Sequence, residues 1–143
     1  MILPNPILAI ILAVTTASTL SAQETDIGGK ISVELNAAQT NADACTLTFL
    51  ITNGLQGAVN KVVYETVLFD QNGQVDRLTL FDFGKLPVAR PRVRQFSVPQ
   101  ITCDQLGQII FNGANTCDVE NSEVSVCETG LLLSTRADIE VSG

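Results

Sequence analysis

Val62-Val63-Tyr64-Glu65-Thr66-Val67-Leu68-Phe69, then Asp70-Gln71-Asn72-Gly73-Gln74, then Val75-Asp76-Arg77-Leu78-Thr79-Leu80-Phe81-Asp82-Phe83 is the stretch whose reading decides the fold. Two runs rich in β-branched and aromatic residues flank an Asn-Gly pair. That pattern predicts a β-hairpin, because both central residues of a type I′ turn need positive φ and Asn and Gly tolerate it best. Asn72 and Gly73 are therefore expected at the tip, flanked by Gln71 and Gln74.

Working outward, the same two-residue period recurs. In Lys30-Ile31-Ser32-Val33-Glu34-Leu35-Asn36-Ala37 the apolar residues fall on odd positions. In Cys45-Thr46-Leu47-Thr48-Phe49-Leu50-Ile51-Thr52-Asn53, Cys45, Leu47, Phe49 and Ile51 share one face. Such alternation marks strands with one buried side. Near the end, Leu131, Leu133, Thr135, Ala137, Ile139 and Val141 alternate with polar residues, which predicts one long closing strand. Residues 93–98 read as a strand, and Pro99 ends it or holds it at a sheet edge. Its parity conflicts: Phe96 and Val98 share a face with Arg92 and Arg94, so either a bulge re-aims the chain or the arginines sit at a rim. Residues 112–126 read as a polar loop. About seven strands with turns between them predict an all-β fold, a single immunoglobulin-like antiparallel β-sandwich.

Residues 1–22 carry no charged side chain and contain the apolar run Ile7-Leu8-Ala9-Ile10-Ile11-Leu12-Ala13-Val14 before a small, polar tail. This reads as a secretory signal peptide, although its start lacks Lys and Arg. The expected organisation is a leader over 1–22 and one β-sandwich domain over 23–143, delivered to the periplasm. If the leader is not cleaved, the domain stays tethered by it; after cleavage no membrane association is expected.

Export gives the four cysteines their meaning. Cys45, Cys103, Cys117 and Cys127 are an even set without CxxC spacing, which in an exported chain favours two disulfides. Three connectivities are open. The preferred one pairs Cys103 with Cys117, closing a short strand-bearing excursion, and Cys45 with Cys127.

Charge and composition exclude several chemistries. The chain has a formal net charge of −7, which repels phosphate backbones and argues against nucleic-acid binding. It has no histidine, so Ser-His-Asp and Cys-His catalysis and imidazole metal sites are not expected. No metal site, cofactor or catalytic residue is expected. The carboxylates Asp70, Asp76 and Asp82 around the hairpin are expected to do turn chemistry and not to bind calcium, since the ligand pattern of a calcium loop is missing. One constellation stands out: Arg90, Arg92 and Arg94, with Lys85 nearby, hold half of the eight basic side chains. Arginines grip carboxylates bidentately, so this is the candidate binding patch. The plainer reading is an edge strand blunted by charge and proline, or internal pairing with Asp76 or Asp82.

Asn53, the run Val67-Leu68-Phe69-Asp70-Gln71-Asn72-Gly73-Gln74-Val75, a proline at Pro87 or Pro91, and Phe96 together carry a resemblance to exported bacterial β-sandwich domains of the FxLYD type. The whole chain also resembles small exported proteins of Gram-negative bacteria. These resemblances imply the fold and an extracytoplasmic location, and carry no site residues. The expected function is a non-enzymatic periplasmic interaction module whose partner is another envelope protein, bound through a sheet edge or loops. The alternative is a small-ligand or inhibitor-type binding domain using the loops at 87–94 and 112–126.

Overall fold

The computed structural model describes residues 27–122 and 124–143. The leader expected over 1–22 lies outside them. Eight strands form: β1 (Ile31–Asn41), β2 (Ala44–Asn53), β3 (Val59–Asp70), β4 (Val75–Leu86), β5 (Arg92–Pro99), β6 (Leu106–Val119), β7 (Leu132–Thr135) and β8 (Glu140–Ser142). They make two four-stranded sheets in the orders β5-β2-β1-β7 and β4-β3-β6-β8. The sandwich inferred from alternation is present.

The alternation maps directly onto burial. Ile31, Val33, Leu35, Cys45, Leu47, Phe49 and Ile51 are buried on one side of the first sheet, and Tyr64, Leu68, Phe81, Phe83, Ile109 and Phe111 face them from the second. The Phe49 ring lies between the sheets, with centroids 5.7 Å from Phe81, 5.6 Å from Phe83, 6.0 Å from Phe96 and 6.1 Å from Phe111. Tilted and edge-on pairs of this kind add roughly 0.5–1.5 kcal/mol each beyond the apolar area they bury.

Asn53 is the buried polar anchor of this core. Its Nδ2 donates to the Gly57 and Leu86 carbonyls, both at 3.0 Å, and its Oδ1 accepts from the Leu55 amide at 2.9 Å. The end of β2 is thereby tied to the end of β4 in the opposite sheet. A buried amide fully satisfied in this way fixes one arrangement of the two sheets, because any other leaves polar groups dry and unpaired.

Five expectations need correction. The hairpin forms, but Gly73 alone among its turn residues has positive φ, at 76°. The Gly73 amide donates to the Asp70 carbonyl at 3.1 Å, and the Asp70 carboxylate accepts from the amides of Asn72 and Gln74. A type I turn ending in a left-handed glycine replaces the type I′ turn, because the Asp70 side chain organises the loop. The polar loop expected over 112–126 is largely strand, since β6 runs on to Val119.

The closing strand is not one strand, and the sandwich is not wholly antiparallel. β7 joins β1 and β8 joins β6, both parallel. The chain bends between them over residues 136–139 and passes from one sheet to the other. Its two-residue period survives: Leu133, Ala137, Ile139 and Val141 all pack on the core.

The disulfides are Cys45–Cys103 and Cys117–Cys127, not Cys103–Cys117 and Cys45–Cys127. The reason is the length of β6. An extended run from Leu106 to Cys117, at about 3.3 Å per residue, puts Cys103 and Cys117 roughly 35 Å apart, far beyond disulfide reach. Antiparallel pairing instead sets Cys45 opposite Val98, so the chain leaving β5 delivers Cys103 beside it. Non-reducing peptide mapping is expected to recover these two pairs alone. Their sequence separations are 58 and 10 residues. Removing the first by Cys45→Ala with Cys103→Ala is expected to lower stability more, by about 4 kcal/mol against about 3 kcal/mol for Cys117→Ala with Cys127→Ala. Urea unfolding measures the difference, and the reverse order would contradict the assignment.

Candidate functional site

β5 carries the arginine cluster along the free edge of its sheet. Its register against β2 runs without a shift, so no bulge resolves the parity conflict. Arg92 and Arg94 stand on the core-facing side at the rim, while Val93 points outward and is exposed. The three arginines then separate. Arg94 reaches across to the opposite sheet, where Nε donates to the Phe83 carbonyl at 2.9 Å and Nη2 to the Lys85 carbonyl at 3.1 Å. Arg77 answers in the other direction, from β4 to the Pro99 carbonyl at 2.6 Å. Arg94 and Arg77 thus stitch β4 to β5 down one side of the sandwich.

Arg92 donates to the neighbouring Pro91 carbonyl, and Arg90 is exposed in the preceding turn. The expected internal pairing of the cluster with Asp76 or Asp82 is not formed. Asp76 pairs with Arg77, and Asp82 pairs with Lys61 at 3.7 Å. Asp82 also accepts the Gly84 amide at 2.9 Å. Asp70 therefore does turn chemistry, whereas Asp82 lies within β4 and holds the irregularity at Gly84. Of the arginine patch, only Arg90 and Arg92 are left to face a partner.

A cleft of about 330 Å³ lies where β3 and β6 meet the residues after Cys127. Tyr64, Phe111, Leu131 and Leu133 supply its apolar lining, and Asn112 and Glu128 its polar side chains. Glu128 accepts the Ala114 amide at 2.8 Å, and Asn112 donates to Glu65 at 2.6 Å. The Tyr64 hydroxyl donates to the Cys127 carbonyl at 2.8 Å. Burial pushes the Tyr64 phenol well above its ordinary value, and the Glu128 carboxylate adds to the shift.

The feature that strand-by-strand reading missed is the outer face of the β4-β3-β6 sheet. Leu78, Val67 and Ile110 stand in one row across the three strands. Beside it, Val75 stands opposite Phe69, and on the other side Leu80 stands opposite Glu65. None of these apolar residues belongs to the core cluster. Val75, Leu78 and Leu80 are 55%, 61% and 52% exposed. The signal was present: the two hairpin runs are apolar on both parities, as in strands buried on both faces. Here no described strand packs on the second face.

No protein-family profile matches the chain, and no curated protein matches it. The FxLYD-type likeness rests on the residues quoted for it. Among solved structures, IrmA from Escherichia coli is similar at 12% identity with a TM-score of 0.45, over 75% of this chain and 91% of that one.

Replacing Arg94 with Met is expected to lower the urea midpoint by an amount equivalent to roughly 2 kcal/mol, since two carbonyls lose a charged donor. Replacing Arg90 and Arg92 with Ser together is expected to change it by less than about 0.5 kcal/mol. Equal effects would refute the division of roles within the cluster.

Tyr64 is the single tyrosine, so its phenolate absorbance reads one group. Its pKa is raised on folding. The stability it contributes is complete below the ordinary value of about 10 and is lost as pH rises beyond it. The phenol is expected to stay un-ionised well past pH 10 and to ionise together with unfolding. A reversible midpoint near pH 10 in the folded protein would contradict its burial.

Proposed function

We propose that this chain is a non-enzymatic interaction module of the bacterial cell envelope, docking another envelope protein on the outer face of β4-β3-β6. The observation that carries the reading is the row Leu78-Val67-Ile110 with Val75, Phe69 and Leu80 around it. Contiguous apolar surface of this kind, exposed at Val75, Leu78 and Leu80 and half-buried at Val67, Phe69 and Ile110, marks an interaction site. The FxLYD-type affiliation belongs to this reading through Asn53 and the Asp70–Val75 turn.

Two disulfides fit an oxidising, extracytoplasmic compartment. Among the described residues no helix is long and apolar enough to cross a membrane. Both support the periplasm as the place of work. The outer face takes precedence over the β5 edge, because Arg94 is committed to holding β4.

The cleft beside Phe111 and Glu128 supports a second reading, a small-ligand binding domain. It combines apolar lining residues with one carboxylate, a common pocket chemistry.

Crosslinking in intact cells separates the readings. Leu78→Ser with Leu80→Ser is expected to abolish the crosslinked partner while leaving the disulfides intact. Arg90→Ser with Arg92→Ser is expected to leave it in place. Retention of the partner by the double leucine variant would overturn the outer-face reading.

A further inference from the structure

The outer face has a charge pattern as well as an apolar one. Glu65 stands opposite Leu80, directly beside the Leu78-Val67-Ile110 row. Glu140 stands opposite Gln108, which itself stands opposite Phe69. Asp76 borders Val75 at the sheet edge, already engaged by Arg77. The cations are placed differently. Lys61 lies at the far end of β3, past Asp82 and held by it, opposite Asp118. Lys85 lies beyond Gly84 at the far end of β4. The apolar rows are thus rimmed by carboxylates, while the lysines of this face stand away from them.

Phe69 adds apolar area to the row next to Leu78-Val67-Ile110. The other five phenylalanines all enter the ring cluster between the sheets, and Phe69 does not.

We infer that the occupant of this face is a protein segment with an apolar stripe flanked by lysine or arginine. The inference rests on the interaction-module reading and specifies its partner. A second copy of the chain would bring the same carboxylates and another net charge of −7 to the contact. Like charges placed across an interface oppose association, and opposite charges speed it and set its register. An anionic membrane surface is disfavoured for the same reason. A basic amphipathic segment satisfies both features of the face: its apolar stripe covers Leu78, Val67 and Ile110, and its cations meet Glu65 and Glu140.

The test uses the full chain and two dye-labelled amphipathic peptides of equal length and leucine content. One carries Lys and the other Glu at every polar position. Fluorescence anisotropy is expected to show binding of the lysine peptide, weakening with added salt, and no binding of the glutamate peptide. Leu78→Ser with Leu80→Ser, which leaves the charge unchanged, is expected to weaken the lysine peptide by about tenfold. Glu65→Gln with Glu140→Gln, which leaves the apolar rows unchanged, is expected to weaken it severalfold.

Equal binding of the two peptides would overturn the charge assignment and leave the docking face standing. Lysine-peptide binding that ignores the leucine substitutions would be bulk attraction to an acidic protein, and would overturn the inference. A dimer in sedimentation that the leucine substitutions dissociate would make the second copy the occupant, and would overturn it too. The cellular crosslinks report separately on the module reading, so the two failures are distinguishable.

Discussion

The structure depends on one ring. Phe49 projects from β2 into the space between the sheets and meets Phe81 and Phe83 from β4, Phe111 from β6 and Phe96 from its own sheet. Two sheets that pack only through aliphatic contacts can slide along one another at modest cost. Interleaved rings at fixed tilts resist that sliding, because each must vacate a shaped space before it can move. Asn53, four residues further along β2, adds directionality by hydrogen bonding to the end of β4. The aromatic cluster sets how far apart the sheets lie, and the asparagine sets how they are aligned.

With the faces fixed, the two open sides of the sandwich are closed by different means. On one side the segment from Leu132 to Ser142 runs along β1, bends, and continues along β6, so a single stretch of chain borders both sheets. On the other side no segment of the described residues borders both sheets. Arg94 and Arg77 cross the gap in opposite directions and satisfy carbonyls of the two edge strands. An edge strand with free carbonyls invites unwanted pairing, and a guanidinium placed on them blunts it. This arrangement directs function as well as stability. The Phe83, Lys85 and Pro99 carbonyls are taken by guanidiniums, while the outer face of β4-β3-β6 carries the exposed Val75, Leu78 and Leu80.

Much of this was legible beforehand. The alternation in β1 and β2 named the buried residues Ile31, Val33, Leu35, Cys45, Leu47, Phe49 and Ile51, because the period of a strand is local and a slip of one residue would expose them all. The Asp70–Gln74 turn was placed correctly and typed wrongly. Composition marks glycine as the residue for positive φ, but the hydrogen bonds of the Asp70 carboxylate determine which loop forms. The apolar residues on both parities of β3 and β4 were not read as a signal. Such a pattern suits strands covered on both faces, and only the sheet order shows that no described strand packs on one of them.

The arginine cluster marks the limit of such reading. Arg90, Arg92 and Arg94 look alike in the chain, yet one holds the opposite sheet and another stands in a solvated turn. By itself the sequence determined β1 and β2 with their buried sides, the β3–β4 hairpin, and that the four cysteines form two pairs. These follow from a two-residue period and from composition, which are properties of short windows. The tertiary structure decided which cysteine meets which, which arginine is occupied, and which apolar face stays bare. Those outcomes depend on what lies across the sheet or across the sandwich, and contacts between residues 45 and 103 or 94 and 83 exist only after strand order and register are set.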